Sequence, residues 1–119
     1  PESAEASEQV YMTPHCVPVD QQPRDVGIGE LVAHPDQFEG RTVRVQGYYY
    51  NGFESSTILP TQVNPYDNIG NGPWVMGLPV FNQLSGRHVW MVGVFTQHVR
   101  GHLGQWPGTI CVSSAGVVT

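Results

Sequence analysis

His98 and His102 stand four residues apart, and on a helix that spacing would present two imidazoles to one metal ion. Gly101, Gly104 and Pro107 instead place them on a loop, and no Asp, Glu or Cys close in sequence supplies a third ligand. Turn and packing roles therefore outweigh a metal-dependent hydrolase, which stays as the weakest reading. The run Asn64 to Asn71 sets Asp67 among amide oxygens, but it lacks the alternating carboxylates and closing Glu of a calcium loop. There is no Gly-x-Ser-x-Gly elbow, Ser85 merely precedes the Gly86 turn, and Glu30, Asp36, Glu39 and Glu54 are scattered as solvated surface carboxylates usually are. No reaction is fixed by these residues, and neither a cofactor nor a metal is expected.

The elements that must carry any site are short strands. With 119 residues, 14 Gly and 10 Pro, the chain has room for one core and a high density of turns, which favours one all-β domain. The clearest pattern is an internal echo: Gly40 to Tyr49 repeats as Gly86 to Phe95. In each copy a Gly-Arg turn opens a strand whose alternate residues form one face, Val43, Val45, Gly47 and Tyr49 in the first and Val89, Met91, Gly93 and Phe95 in the second. A glycine in the middle of such a face marks a bend or bulge where a sheet coils onto itself.

Thr57 to Leu59, Trp74 to Leu78 and Thr109 to Val112 complete a set of five strands. Ile28, Leu31 and Val32 at helical spacing give one short helix that Pro35 must end, with Phe38 as a plug for the barrel bottom. Pro14, Pro18 and Pro23 make residues 10–26 an extended arm lying on the barrel, and residues 1–9 read as a flexible acidic tether. The expected fold is a small five-stranded OB-like barrel formed by residues 10–119, with one short helix and an extended amino-terminal arm.

Pro35-x-x-Phe38-x-Gly40-Arg41-x-Val43-x-Val45-x-Gly47-Tyr48, then Gly86-Arg87-x-Val89-x-x-x-Gly93-x-Phe95, and Gly101-His102-Leu103-Gly104 ahead of Gly108-Thr109-Ile110 resemble a loose group of short bacterial exported and lipoprotein-like proteins with OB-like domains. The resemblance implies the fold over about residues 28 to 112 and is nearly silent on activity. It departs from the usual OB pattern in one place. The helix precedes the first barrel strand, whereas the usual OB helix lies between the third and fourth.

In OB barrels ligands lie between the loops joining strands one to two and four to five. Here those loops bring Tyr50, Phe53, His98, Arg100, His102 and Trp106, and Tyr, Trp and Arg are typical interface anchors. The opposing reading is that Phe53 and Trp106 cap the barrel end. On the outer strand faces Tyr48, Tyr50 and Trp90 accompany Arg44, either as a cation-π pair of Arg44 with Trp90 or as a bed for the arm.

Ten carboxylates against five arginines, with no lysine, give a charge of −5 and a poor footing for phosphate, so nucleic acid is discounted. No apolar run is long enough to span a membrane. Cys16 and Cys111, near opposite ends, suit a disulfide pinning the arm to the last strand and with it an oxidising compartment, the alternative being two buried free thiols in a cytosolic protein. The exported reading is periplasmic or cell-envelope, with a lipid tether through a segment ahead of the amino terminus as a further option. The leading expectation is a non-enzymatic exported module of inhibitor or immunity type that binds another protein, a toxin, hydrolase or envelope component. The alternative is a glycan or small-ligand module in which Tyr50, Phe53 and Trp106 stack on sugar while Asn51 and Gln105 orient hydroxyls.

Overall fold

The computed structural model describes residues 10–12, 22–77 and 81–119. The tether at residues 1–9 and the arm residues 13–21, Cys16 among them, lie outside the described residues. Among the described residues the strands are β1 (Val10–Met12), β2 (Arg24–Asp25), β3 (Thr42–Gly52), β4 (Ser55–Leu59), β5 (Trp74–Met76), β6 (His88–Thr96) and β7 (Thr109–Val117). Their one α-helix is α1 (Ile28–Ala33), the short helix expected ahead of the first barrel strand.

β3 pairs with β4, β4 with β5, β5 with β7, β7 with β6, and β6 returns to β3. The ring is closed, all neighbours are antiparallel except β5 and β7, and the architecture is the expected five-stranded OB-like barrel. Where the usual OB helix would stand, the described residues form a 3-10 turn, Phe81–Leu84, whose Leu84 is fully buried.

The two echoed segments are neighbours. Val45 stands opposite Met91, Gly47 opposite Val89 and Gly93 opposite Val43, so the repeats pair antiparallel about a local two-fold axis through the Val45 and Met91 pair. The alternate positions of both repeats are buried, as their spacing requires. Each mid-strand glycine sits where another chain segment comes too close for a side chain. A Cβ on Gly93 would meet the Cys111 carbonyl, and one on Gly47 would meet the Leu59 carbonyl and the Ile28 side chain. At Gly93 the register with β7 slips by one residue, leaving Ser113 as the extra residue, its hydroxyl donating to the Val92 carbonyl at 3.2 Å. This bulge bends β6 and β7 into the barrel wall. β3 changes partner at Tyr48, pairing with β6 before it and with β4 after it.

Ile28 and Leu31 of α1 and Phe38 of the following 3-10 turn (Pro35–Phe38) plug the core formed by the strand interiors. Each such side chain contributes roughly 1.5–3 kcal/mol by leaving water. The described parts of the arm do more than lie on the barrel. β1 pairs antiparallel with Ser114 to Gly116 of β7, and β2 pairs parallel with Val43 and Arg44 of β3. β2 thereby covers the half of β3 that β4 leaves unpaired, and β1 extends the sheet beyond β7.

Several strand limits differ from the sequence reading: β3 runs on to Gly52 and β4 begins at Ser55. β5 ends at Met76, and β7 runs on to Val117 because β6 offers it a partner along its whole length.

Candidate binding surface

Phe53 and Glu54 form the two-residue turn between β3 and β4, and Glu54 holds a φ of 52°. Glycine or asparagine is the usual occupant of such a place. Across from it the loop between β6 and β7 rises to a short finger, Gly101 to Gln105. Its neck is closed twice, by the Trp106 amide donating to the Arg100 carbonyl at 3.0 Å and by Arg100 Nε donating to the Trp106 carbonyl at 2.8 Å. Beneath the neck Trp106 is 2% exposed and meets the Trp74 ring edge-on at 4.7 Å between centroids. Gly101 lies so close over the Trp74 ring that a Cβ there would fall 2.7 Å from it.

The finger and the turn are joined by one contact, His102 Nε2 to Glu54 Oε2 at 3.2 Å. A third segment, the loop between β4 and β5, is tied in by the Tyr66 hydroxyl donating to the Phe53 carbonyl at 3.0 Å. Three loops, the β6–β7 loop distant in sequence from the other two, thus meet at one place. Every exposed large apolar side chain among the described residues except Met76 lies on these loops, with Phe53 at 78% and Leu103 at 77% exposure the most prominent.

Leu103 has a φ of 58° and, with Glu54, is one of two non-glycine residues in the left-handed region among the described residues. For an ordinary side chain that conformation costs about 1–2 kcal/mol. Glu54 recovers something through His102. Leu103 is a large side chain on a strained backbone, directed almost wholly to solvent, flanked by glycines at Gly101 and Gly104 that adopt positive φ freely.

The residues singled out from sequence therefore separate. Phe53, Arg100 and His102 come together at the finger. Trp106 is its buried foundation and offers no face to a ligand, so of the two aromatic residues it alone caps the barrel end. Tyr50 is half-buried on the outer face of β3, with its hydroxyl out of reach of solvent and without a hydrogen-bond partner. Ser55 Oγ is in the same position, and each such group costs about 1–3 kcal/mol.

His98 stands at the root of the loop, its Nε2 4.0 Å from Glu39 Oε1, so the two imidazoles face different carboxylates. Glu39 also accepts from the Thr96 hydroxyl and the Gln97 amide, each at 2.7 Å, which fixes the loop root to the turn before β3. Desolvation acts to raise the Glu39 pKa, but the Gln97 and Thr96 hydrogen bonds and the nearby His98 outweigh it and hold the carboxyl below its ordinary value.

No group of three metal-binding side chains occurs among the described residues. The Asn64 to Asn71 amides serve the loop itself, Asn64 accepting from the Tyr66 amide and Asn68 from Asn71. Ser85 Oγ accepts from the Asn51 amide at 2.9 Å. The Arg44 guanidinium lies 4.8 Å over the Trp90 ring as a cation-π pair, while the preferred reading of these residues as a bed for the arm falls on residues 13–21, outside the described residues. No helix among the described residues is long and apolar enough to cross a membrane.

Leu103 and Glu54 were not legible as site residues. Their signal was a leucine between closely spaced glycines, and a glutamate where a tight turn between alternating strands asks for glycine. No family model matches the chain, and no curated protein or solved structure matches it significantly.

Proposed function

We propose that this is a non-enzymatic exported module that binds another protein through the Leu103 finger and the Phe53 turn, in the manner of an inhibitor or immunity protein neutralising a toxin or hydrolase, or of a module holding an envelope component. The observation that carries the reading is Leu103. Glycine at this position would relieve the backbone, and a polar residue would suit the solvent, yet a leucine is held outward at 77% exposure on a closed neck. A side chain that adds nothing to its own fold at such a place is accounted for by what it meets outside.

The neck, the Trp106 foundation and the His102 to Glu54 contact pre-form the finger, which lowers the entropy lost on docking. The glycan alternative has less support, because its three stacking residues do not share an open face: Trp106 is buried and the Tyr50 hydroxyl is covered. The module belongs on this reading to the loose group of bacterial exported OB-like proteins. It resides in the periplasm or cell envelope, with a lipid tether at its amino terminus and Cys16 joined to Cys111.

The experiment is capture on the immobilised full chain, from extracts of its own cells and of neighbouring competitors, compared with Leu103→Gly. A stoichiometric protein retained by the parent and lost from the variant is expected. Since glycine accepts positive φ, the variant keeps its stability or gains up to about 1 kcal/mol, so loss of capture would not reflect unfolding. Equal retention on both, or none on either, would sink the reading.

A further inference from the structure

We propose that the partner is a basic protein, presenting a cationic rim around an apolar pocket that admits Leu103; the inference rests on the docking role given above. Shape and charge both bear on it. The finger is convex, closed at its neck and capped by an outward leucine, so its counterpart is concave. The chain carries ten carboxylates against five guanidinium groups, a formal charge of −5.

The local balance has the same sign. Glu54 and Asp67 are exposed beside the finger, Asp67 next to the Tyr66 that clasps the Phe53 turn. The finger's own cation, Arg100, is exposed and keeps its charge, though its Nε donates to the Trp106 carbonyl, so Glu54 and Asp67 outnumber it two to one. His98 and His102 already face Glu39 and Glu54. Of the remaining arginines, Arg24 lies over Phe38, Arg44 lies over Trp90 near Asp25, and Arg41 and Arg87 stand just ahead of β3 and β6.

An acidic partner would meet like charges at the rim, whereas a basic one is drawn in by the whole field, typically about 10 to 10³ faster. A second copy of this chain is disfavoured on both counts, bringing the same negative charge and a finger where a pocket is needed.

The probes are two pools of envelope protein from the same extract, split at neutral pH into the fraction retained on a cation exchanger and the fraction that flows through. Each is passed over the immobilised full chain and over Leu103→Gly. The expected result is Leu103-dependent capture from the retained pool alone. The association rate of the captured protein should then fall about tenfold between roughly 50 and 200 mM salt, and about two-fold with Asp67→Asn, while dissociation barely changes. Leu103-dependent capture from the flow-through pool, or an association rate indifferent to salt, overturns the basic-partner inference and leaves the docking reading standing. Absence of Leu103-dependent capture from either pool overturns both. Self-association of the chain in the ultracentrifuge, abolished by Leu103→Gly, would replace the basic partner by a second copy.

Discussion

Arg100 and Trp106 bond to each other twice across the neck of one loop, backbone amide to carbonyl in one direction and Nε to carbonyl in the other. The two halves of this clasp differ in what they hold. Arg100 is exposed and contributes a single side-chain bond, whereas Trp106 is buried against Trp74 and fixes where the loop sits on the barrel.

Truncating the two residues should therefore give unequal results. Trp106→Ala is expected to cost about 3–5 kcal/mol in chemical denaturation, the range for a buried aromatic side chain. Arg100→Ala should cost about 1 kcal/mol or less, since the Trp106 amide bond survives it. Comparable losses for the two would mean that the neck, and not the tryptophan beneath it, secures the finger.

Gly93 offers a test of barrel closure. A methyl group there meets the Cys111 carbonyl and the Val112 backbone, neither of which can turn aside as a side chain could. Gly93→Ala should destabilise by about 3 kcal/mol or more, at the upper end of overpacking effects, and hydrogen exchange should accelerate in β6 and β7 ahead of β4. An alanine variant as stable as the parent would show that the bulge at Ser113 relaxes freely.

Glu39 predicts an acid-side pH dependence. Its carboxyl titrates lower in the folded chain than in the unfolded one, so its contribution is complete above the unfolded value and is lost as pH falls through the folded value. Thermal unfolding followed between about pH 2 and 6 should show the parent losing stability more steeply on acidification than Glu39→Gln. Parallel curves would mean that the bonds from Thr96 and Gln97 do not favour the ionised form.

Tyr49 provides the alkaline counterpart. Burial pushes its phenol up to about 12, against the smaller opposing effect of the Ser56 hydroxyl at 3.2 Å. The neutral ring's contribution is full below the ordinary tyrosine value of about 10 and disappears as pH rises through the folded value. Absorbance titration at 295 nm should find tyrosine ionisation that coincides with loss of the native fold, and Tyr49→Phe should reduce that step. Early ionisation of all tyrosines in a still-folded protein would contradict the burial.

The barrel was readable because its strands obey simple alternation, and because Gly47 and Gly93 interrupt apolar faces where only a bend or close contact explains a missing side chain. The end of β7 was not readable. Ser113, Ser114 and Gly116 have little preference for a strand, and they become one because β6 lies alongside to receive their hydrogen bonds. The site was half legible. Loop position pointed to Phe53, Arg100 and His102, but whether an aromatic residue faces inward or outward on an irregular loop has no period to betray it, so Trp106 and Leu103 could not be told apart. Glu54 looked like any surface carboxylate, because its partner His102 is distant in sequence and the contact exists only once the ring of strands has closed.

The local two-fold between β3 and β6 bears on how the chain reaches this state. The contacts that register the repeats against each other, Gly47 with Val89 and Gly93 with Val43, join segments separated by two strands and two long loops. Little of the stabilising surface can form before that wide excursion is closed, which places the chain among slow, high-contact-order folders with times of milliseconds to seconds. The excursion contains the apolar strands β4 and β5, so in nascent chains these strands wait unprotected for β6, and the interval before it arrives is when aggregation competes with folding.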